Sequence, residues 1–430
     1  MSTKGFDIEL GSMSRIYMSV SVFIVVLSVL LGAFGALTGS HTLHTLHPYI
    51  FFVGFGNLAI LILNRYLIAA VYSELKIDTG RQMRYIYGIL LSLFMISVSV
   101  ISDLPLLKAL TGLFLMVMVV FPVRDIFSTL SVARIWKQVS VRYYIFDVLF
   151  LLNANLGLFA LGLKEAFPDS GLIPFFVTQS AYFLGSSFPL SISVMGFLYT
   201  YAWKRSPKKE LITRLFSIWS YIFVGGVLVF LIAILAGHYL GMMLVSHALL
   251  FGVMIMLGGF AVYLNRFFQK NFHHPALAFL LTGLAMLFAT SAYGILNIYF
   301  YDQLPFGSVP PIRANKMWIY HSHTHAALMG WITFSFIGMI YVVLPAIVRT
   351  GTLEMLRTGD PLVKLLDEDI MKKAFRQLTV MVFSSIVVLL AFYFDNSVML
   401  FSGGIVYAAG VYFLRINLKH AFNKDNRRRA

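Results

Sequence analysis

The chain is 430 residues long, 59% hydrophobic and only 12% charged, with 33 Lys and Arg against 18 Asp and Glu. So apolar a composition excludes a water-soluble globular protein, and basic residues placed in loops between apolar runs, not along one exposed face, exclude a nucleic-acid binder. Cysteine is absent from the sequence, which removes disulfides, thiolate metal sites and iron–sulfur clusters and leaves histidine as the chief candidate metal ligand.

A bilayer core of roughly 30 Å needs about 20 apolar residues of helix. Twelve such runs begin near residues 16, 47, 83, 105, 142, 172, 212, 239, 275, 317, 374 and 396. The ten-residue alternation of a membrane barrel does not occur, so the expected fold is all-α and integral to the membrane. No linker interrupts the runs, which predicts one membrane domain over residues 1–430 with helix cores from about 16 to 417. The first run is too long for the apolar region of a cleavable signal. With both termini in the cytoplasm, every Lys and Arg but Lys108, Lys164, Arg313 and Lys316 lies inside, as the positive-inside rule asks. The site residues described below then face the outer side of the plasma membrane.

Along the chain, the second run opens with His41, His44 and His47 and continues through Gly54 and Gly56. The fifth carries Asp147, an acid at membrane depth that either pairs with Arg142 or starts a polar track with Asn153 and Asn155. In the sixth, near residue 172, Gln179 and Tyr182 are the nearest polar candidates and no histidine occurs. The seventh ends at His238 and the eighth contains His247. Arg313 and Lys316, just before the tenth, break the charge rule and call for a local anion, for which haem propionates are one source. The tenth run holds His321, His323 and His325, followed by Gly330. Between residues 346 and 373 a cytoplasmic loop with Asp367, Glu368, Asp369, Lys372 and Lys373 reads as a short surface helix. Stretches beginning at His47, His247 and His325 resemble one another weakly.

Eight of the eleven histidines thus gather at one depth, where ionisable residues are costly and mark a site. At about 100° per residue, His323 and His325 point about 200° apart, so one helix can serve groups on two sides. Neutral imidazole is a good haem ligand, and a bis-histidine haem takes one ligand from each of two facing helices, a description that His47 and His325 satisfy. The plainer alternatives are interfacial histidines satisfied by hydrogen bonds, and glycines that serve only to pack bare helices together.

The tenth run reads His323, Thr324, His325, then Gly330-Trp331, Gly338 to Tyr341 and Pro345, and the second reads His47-Pro48-Tyr49 to Phe55-Gly56-Asn57. Both resemble the corresponding helices of subunit I of the haem–copper oxidases, closest to the cbb-type oxidases and their nitric-oxide reductase relatives. The resemblance implies a twelve-helix bundle in which His47 and His325 are axial ligands of a low-spin haem b and His323 holds a second, high-spin haem that meets O2 or NO. It further implies an electron-donor protein or quinol and accompanying respiratory subunits. The family places copper, or iron in the reductases, on a histidine of the sixth helix and a His-His pair ending the seventh. Here the sixth helix lacks that histidine and Tyr239 stands beside His238. His247, with His238 and His321, is the remaining set of imidazoles for such a metal.

Two other functions compete. A haem protein without turnover, for electron transfer or for nitric-oxide sensing or tolerance in the manner of NnrS-type membrane proteins, suits the incomplete copper set. A secondary transporter suits the number of spans but not the position of the polar residues, since transporters gather them at the midplane on broken helices.

Overall fold

The computed structural model describes residues 9–171, 173, 190–268, 274–300, 314–357 and 366–429, and these are entirely helical apart from turns and short connections. Eleven helices are long and apolar enough to cross a membrane. They are α1 (Leu10–Thr38), α2 (His41–Val71), α3 (Thr79–Ile101), α4 (Pro105–Thr129), α6 (Val139–Ala166), α8 (Lys209–Leu235), α9 (Tyr239–Phe268), α10 (Pro275–Tyr299), α11 (Met317–Thr350), α13 (Glu368–Tyr393) and α14 (Ser397–Arg429). The shorter helices are α5 (Val132–Lys137), α7 (Ser191–Arg205) and α12 (Glu354–Arg357). The protein is a multi-pass membrane protein whose outer helices present apolar side chains such as Phe23, Phe94 and Ile232 to lipid. Eleven of the twelve expected spans coincide with these helices. The other, near residue 172, lies partly outside the described residues, as do Gln179 and Tyr182, and its end corresponds to α7.

Local chemistry sets the helix ends. Gly39 and Gly351 take left-handed φ of 66° and 68° and close α1 and α11, a conformation that costs a side chain more than it costs glycine. Asp78 caps α3 by accepting from the Arg81 N–H at 2.9 Å, Asn396 accepts from Met399 N–H at 2.8 Å at the start of α14, and prolines open α4 and α10. The acidic and basic residues near 368 form no separate surface helix. They are the first turns of α13 itself, where Glu368–Lys372 and Asp369–Lys373 pair at 2.8 Å each across one turn. The correction has a simple cause: α13 runs beyond its apolar stretch, and a hydropathy reading stops where the charges begin.

Two helices form the centre. In the most apolar stretch of α11, 94% of residues are buried, and in that of α2, 78%, against 11–44% in the other spans. Both abandon regular α geometry at the same relative place. In α2 the turns widen to π geometry at Ile50–Gly56 and again at Ala59–Asn64; in α11 they widen at Ala326–Thr333. Such turns leave carbonyls without their usual partners, and the surroundings supply substitutes. Thr333 donates to Leu328 O at 2.7 Å, Tyr407 of α14 to Met329 O at 2.5 Å, and the Asn57 amide to Phe52 O at 3.1 Å. By contrast α9, which carries His247, is a regular α-helix.

Interhelical polar contacts lock the register. Asn57 and Asn155 exchange amide hydrogen bonds between α2 and α6, and the Trp331 indole donates to Ser191 at 2.6 Å. Further along, Tyr341, Gln377 and Asn417 tie α11 to α13 and α14. Asp147 makes no pair with Arg142. Its carboxylate accepts from the Ser193 hydroxyl and backbone N–H of α7, whereas Arg142 donates to Tyr221 and Ser217 of α8. Asn155 serves helix packing with Asn57.

Candidate functional site

One cavity of about 810 Å³ opens among the ends of the helices farthest from the N- and C-termini. Five histidines line it, and they are five of the eight that the sequence gathers at one depth: His44 and His47 on α2, His321, His323 and His325 on α11. Its size falls within the range of cofactor pockets, and its walls are predominantly apolar with a few convergent polar groups.

His47 owes its orientation to its neighbour. Pro48 sits inside α2 and has no N–H to give to the carbonyl four residues back, that of His44. The His47 ring takes that place, with Nδ1 2.7 Å from His44 O, while the His47 carbonyl itself accepts from the Ser28 hydroxyl at 2.7 Å. The His325 ring also meets a backbone carbonyl, though without a proline beside it: its Nδ1 lies 2.8 Å from His321 O, one turn back. With Nδ1 donating to a carbonyl, the neutral imidazole carries its lone pair on Nε2, the nitrogen left for a metal. The two rings are 6.4 Å apart, centre to centre, with planes 25° from parallel. Phe392 of α13 packs on the far side, 4.6 Å from the His325 ring and 5.3 Å from that of His321.

His323 leaves α11 on another side and reaches α10. Its Nδ1 is 2.8 Å from Thr290 O. Gly294 makes that approach possible, because a Cβ there would stand 3.0 Å from His323 Cε1 and 3.2 Å from Nδ1. On α1, Gly32 plays the same part for His47, with a Cβ position 3.2 Å from its Cδ2. Near His323 the cavity wall includes Thr290 and Asn297 of α10, whose buried Oγ1 and Oδ1 have no hydrogen-bond partner among the described residues.

Gly54 and Gly330, singled out in the sequence, meet neighbouring helices. A Cβ at Gly54 would strike Ile24 and Leu93, and one at Gly330 would strike Met286, so both serve close helix packing. The glycines on the cavity are Gly32, Gly294 and Gly404. No sequence signal separates these from the rest, because the distinction depends on which helix faces which. Phe392, Ser28 and Thr290 were likewise invisible without tertiary structure.

The remaining site candidates fall elsewhere. His238 is exposed and caps α9, its Nδ1 accepting from Gly241 N–H at 2.9 Å, so its proton sits on Nε2. His247 is exposed on α9 beside Tyr299, with Nδ1 2.7 Å from Met243 O. His238, His247 and His321 therefore do not make a three-imidazole centre, and among the described residues no group of three or more His, Cys, Asp or Glu side chains is arranged to hold a metal ion. Lys316 lies against Phe300, Nζ 5.2 Å from the ring centre, and is not part of the cavity wall. Arg313 is outside the described residues. Lys108, another exception to the charge rule, pairs with Glu165 and lies over the Tyr49 ring.

The chain matches no model of a known protein family and no curated protein.

Proposed function

We propose that the cavity holds haem b, which His47 and His325 together would hold as one group and His323 alone as a second. The observation that carries this reading is the pair of rings 6.4 Å apart, each with Nδ1 committed to a backbone carbonyl and Nε2 free. Porphyrin supplies four nitrogens, so a haem iron asks the protein for only one or two more, which is what these helices offer. The bound haem supplies one-electron and O2 or NO chemistry. What the chain contributes is orientation through Pro48 and Gly294, an apolar wall that excludes water, and the Thr290 and Asn297 oxygens beside the His323 side.

On this reading the protein is an oxidoreductase of the haem–copper oxidase kind, a twelve-span bundle with both termini in the cytoplasm of a plasma membrane. It would accept electrons from a donor protein or quinol and act on O2 or NO beside further respiratory subunits. The second reading, a haem protein for electron transfer or nitric-oxide tolerance without turnover, is favoured by one observation: the imidazoles available for copper are dispersed.

Reduced-minus-oxidised absorbance of the purified protein, with and without carbon monoxide, tests both. A low-spin signal lost in His47→Ala and His325→Ala, together with a CO-reactive signal lost in His323→Ala, is the expected result. A single CO-silent haem would select the electron-transfer reading, and protein free of haem after expression with haem supplied would refute both.

A further inference from the structure

At the opposite end of the bundle, between α3 and α4, lies a second pocket of about 500 Å³ that the haem reading does not use. Its mouth carries Arg81 and Arg84 on the first turns of α3 and Arg124 near the end of α4. Behind them Arg65, buried in α2, binds Asp125 at 2.5 Å. Asp125 also lies 3.6 Å from Arg81, and Asp78 lies 3.8 Å from it. Four guanidiniums thus face two carboxylates. Arg84 and Arg124 are exposed and have no ion-pair partner among the described residues, so the surplus positive charge sits at the mouth.

The wall holds an unspent donor. Tyr85 is 6% exposed and lines the pocket, yet its hydroxyl has no hydrogen-bond partner among the described residues. A buried hydroxyl left alone costs free energy unless something meets it. Beyond Tyr85 the lining turns apolar, through Phe121, Met118 and Phe114 along α4. From Arg124 back to Phe114 the helix rises by about 15 Å, roughly the depth of one leaflet's hydrocarbon. A basic mouth over an apolar groove of that length suits an amphiphile, whereas a free anion would use only the mouth.

We propose that this pocket binds an anionic phospholipid, its phosphate held by Arg81, Arg84, Arg124 and the Tyr85 hydroxyl and one acyl chain lying along the α4 groove. The net positive surplus favours a headgroup with net negative charge over a zwitterionic one. Guanidinium pairs with phosphate through parallel N–H···O bonds, which lysine does not reproduce.

Native mass spectrometry of the full chain in detergent, with phosphatidylglycerol, phosphatidylcholine or inorganic phosphate added, reads this directly. The expected result is retention of phosphatidylglycerol roughly tenfold better than phosphatidylcholine, a loss of roughly tenfold or more in the Arg84→Ala/Arg124→Ala double variant, and a smaller loss in Tyr85→Phe. Both arginines are exposed, so the double variant keeps its melting point without lipid, and the lipid preference of the unmodified chain needs no variant at all. Equal retention of the two lipids, retention unchanged in both variants, or retention of inorganic phosphate equal to that of phosphatidylglycerol would each overturn the proposal, the last by showing a site for a free anion.

Discussion

Pro48 frees the His44 carbonyl, that carbonyl takes the His47 Nδ1, and the ring is then aimed by the backbone with no side-chain partner at all. Proline in a helix interior normally costs about 3 kcal/mol, and here it leaves a carbonyl that fixes the His47 ring. Pro48→Ala returns an N–H that competes for His44 O and lets the imidazole turn. The variant gains helix stability, which separates loss of function from loss of fold. Expected is a roughly 10- to 100-fold weaker hold on haem, the usual effect of removing an outer-shell partner, with a weakened low-spin signal and an unaltered CO-reactive one. Haem content and spectrum identical to the unmodified protein would sever the link between the proline and the site. Gly294 works in the same way by space: Gly294→Ala puts a methyl 3.0 Å from His323 Cε1 and should disturb the CO-reactive signal while sparing the low-spin one.

At the scale of elements, the wide turns of α2 and α11 follow soon after their histidines, and side-chain donors meet the carbonyls of Phe52, Leu328 and Met329. Tyr407 of α14 is the clearest case, its fully buried hydroxyl spent on Met329 O. Leaving a buried carbonyl unmet costs about 1–3 kcal/mol in soluble proteins, but interhelical hydrogen bonds in membranes average about 0.6 kcal/mol and reach about 1.7. The membrane value governs here, so Tyr407→Phe should destabilise by about 1 kcal/mol, seen as a lower midpoint of denaturation; a loss of nothing would mean that Met329 O finds another partner. The start of α13 has its own pH dependence. Lys372, hydrogen-bonded to Glu368, holds that carboxyl below its ordinary range, and Glu368 in turn raises the Lys372 amine. The Glu368 contribution is present above the ordinary carboxylate range and lost as pH falls through its lowered pKa. That of Lys372 is present below the ordinary lysine range and lost as pH rises through its raised one. Both groups are fully exposed, so the effect is small and local. Hydrogen exchange at the amides of residues 369–373, corrected for intrinsic rate, should quicken in acid in the unmodified chain and not in Glu368→Gln.

For the molecule as a whole, the spans were legible because a bilayer imposes length and apolarity on every helix alike, and eleven of the expected starts fall within a few residues of the observed helices. The three principal ligand candidates were legible for a related reason: a histidine at membrane depth is conspicuous. What composition could not reveal is which residues meet across helices. His238 and His247 sit at the expected depth yet point elsewhere, Gly54 and Gly330 pack against helices and not against the cavity, and the acidic start of α13 read as a separate short surface helix. The placing of Gly54 and Gly330 depends on rotation about a helix axis, which the wide turns of α2 and α11 shift by amounts that no regular 100° step anticipates, whereas the start of α13 was hidden because that helix runs beyond its apolar stretch. Orientation is the one global property that still rests on loop charge, and the absence of cysteine makes it directly testable. Thr42, exposed at the start of α2, and Lys208, exposed just before α8, lie at opposite ends of the bundle. With the termini in the cytoplasm, Thr42→Cys reacts with a membrane-impermeant maleimide in intact cells whose outer barrier is removed, whereas Lys208→Cys reacts only after the membrane is opened. The reverse pattern would place the histidine-lined cavity on the cytoplasmic side.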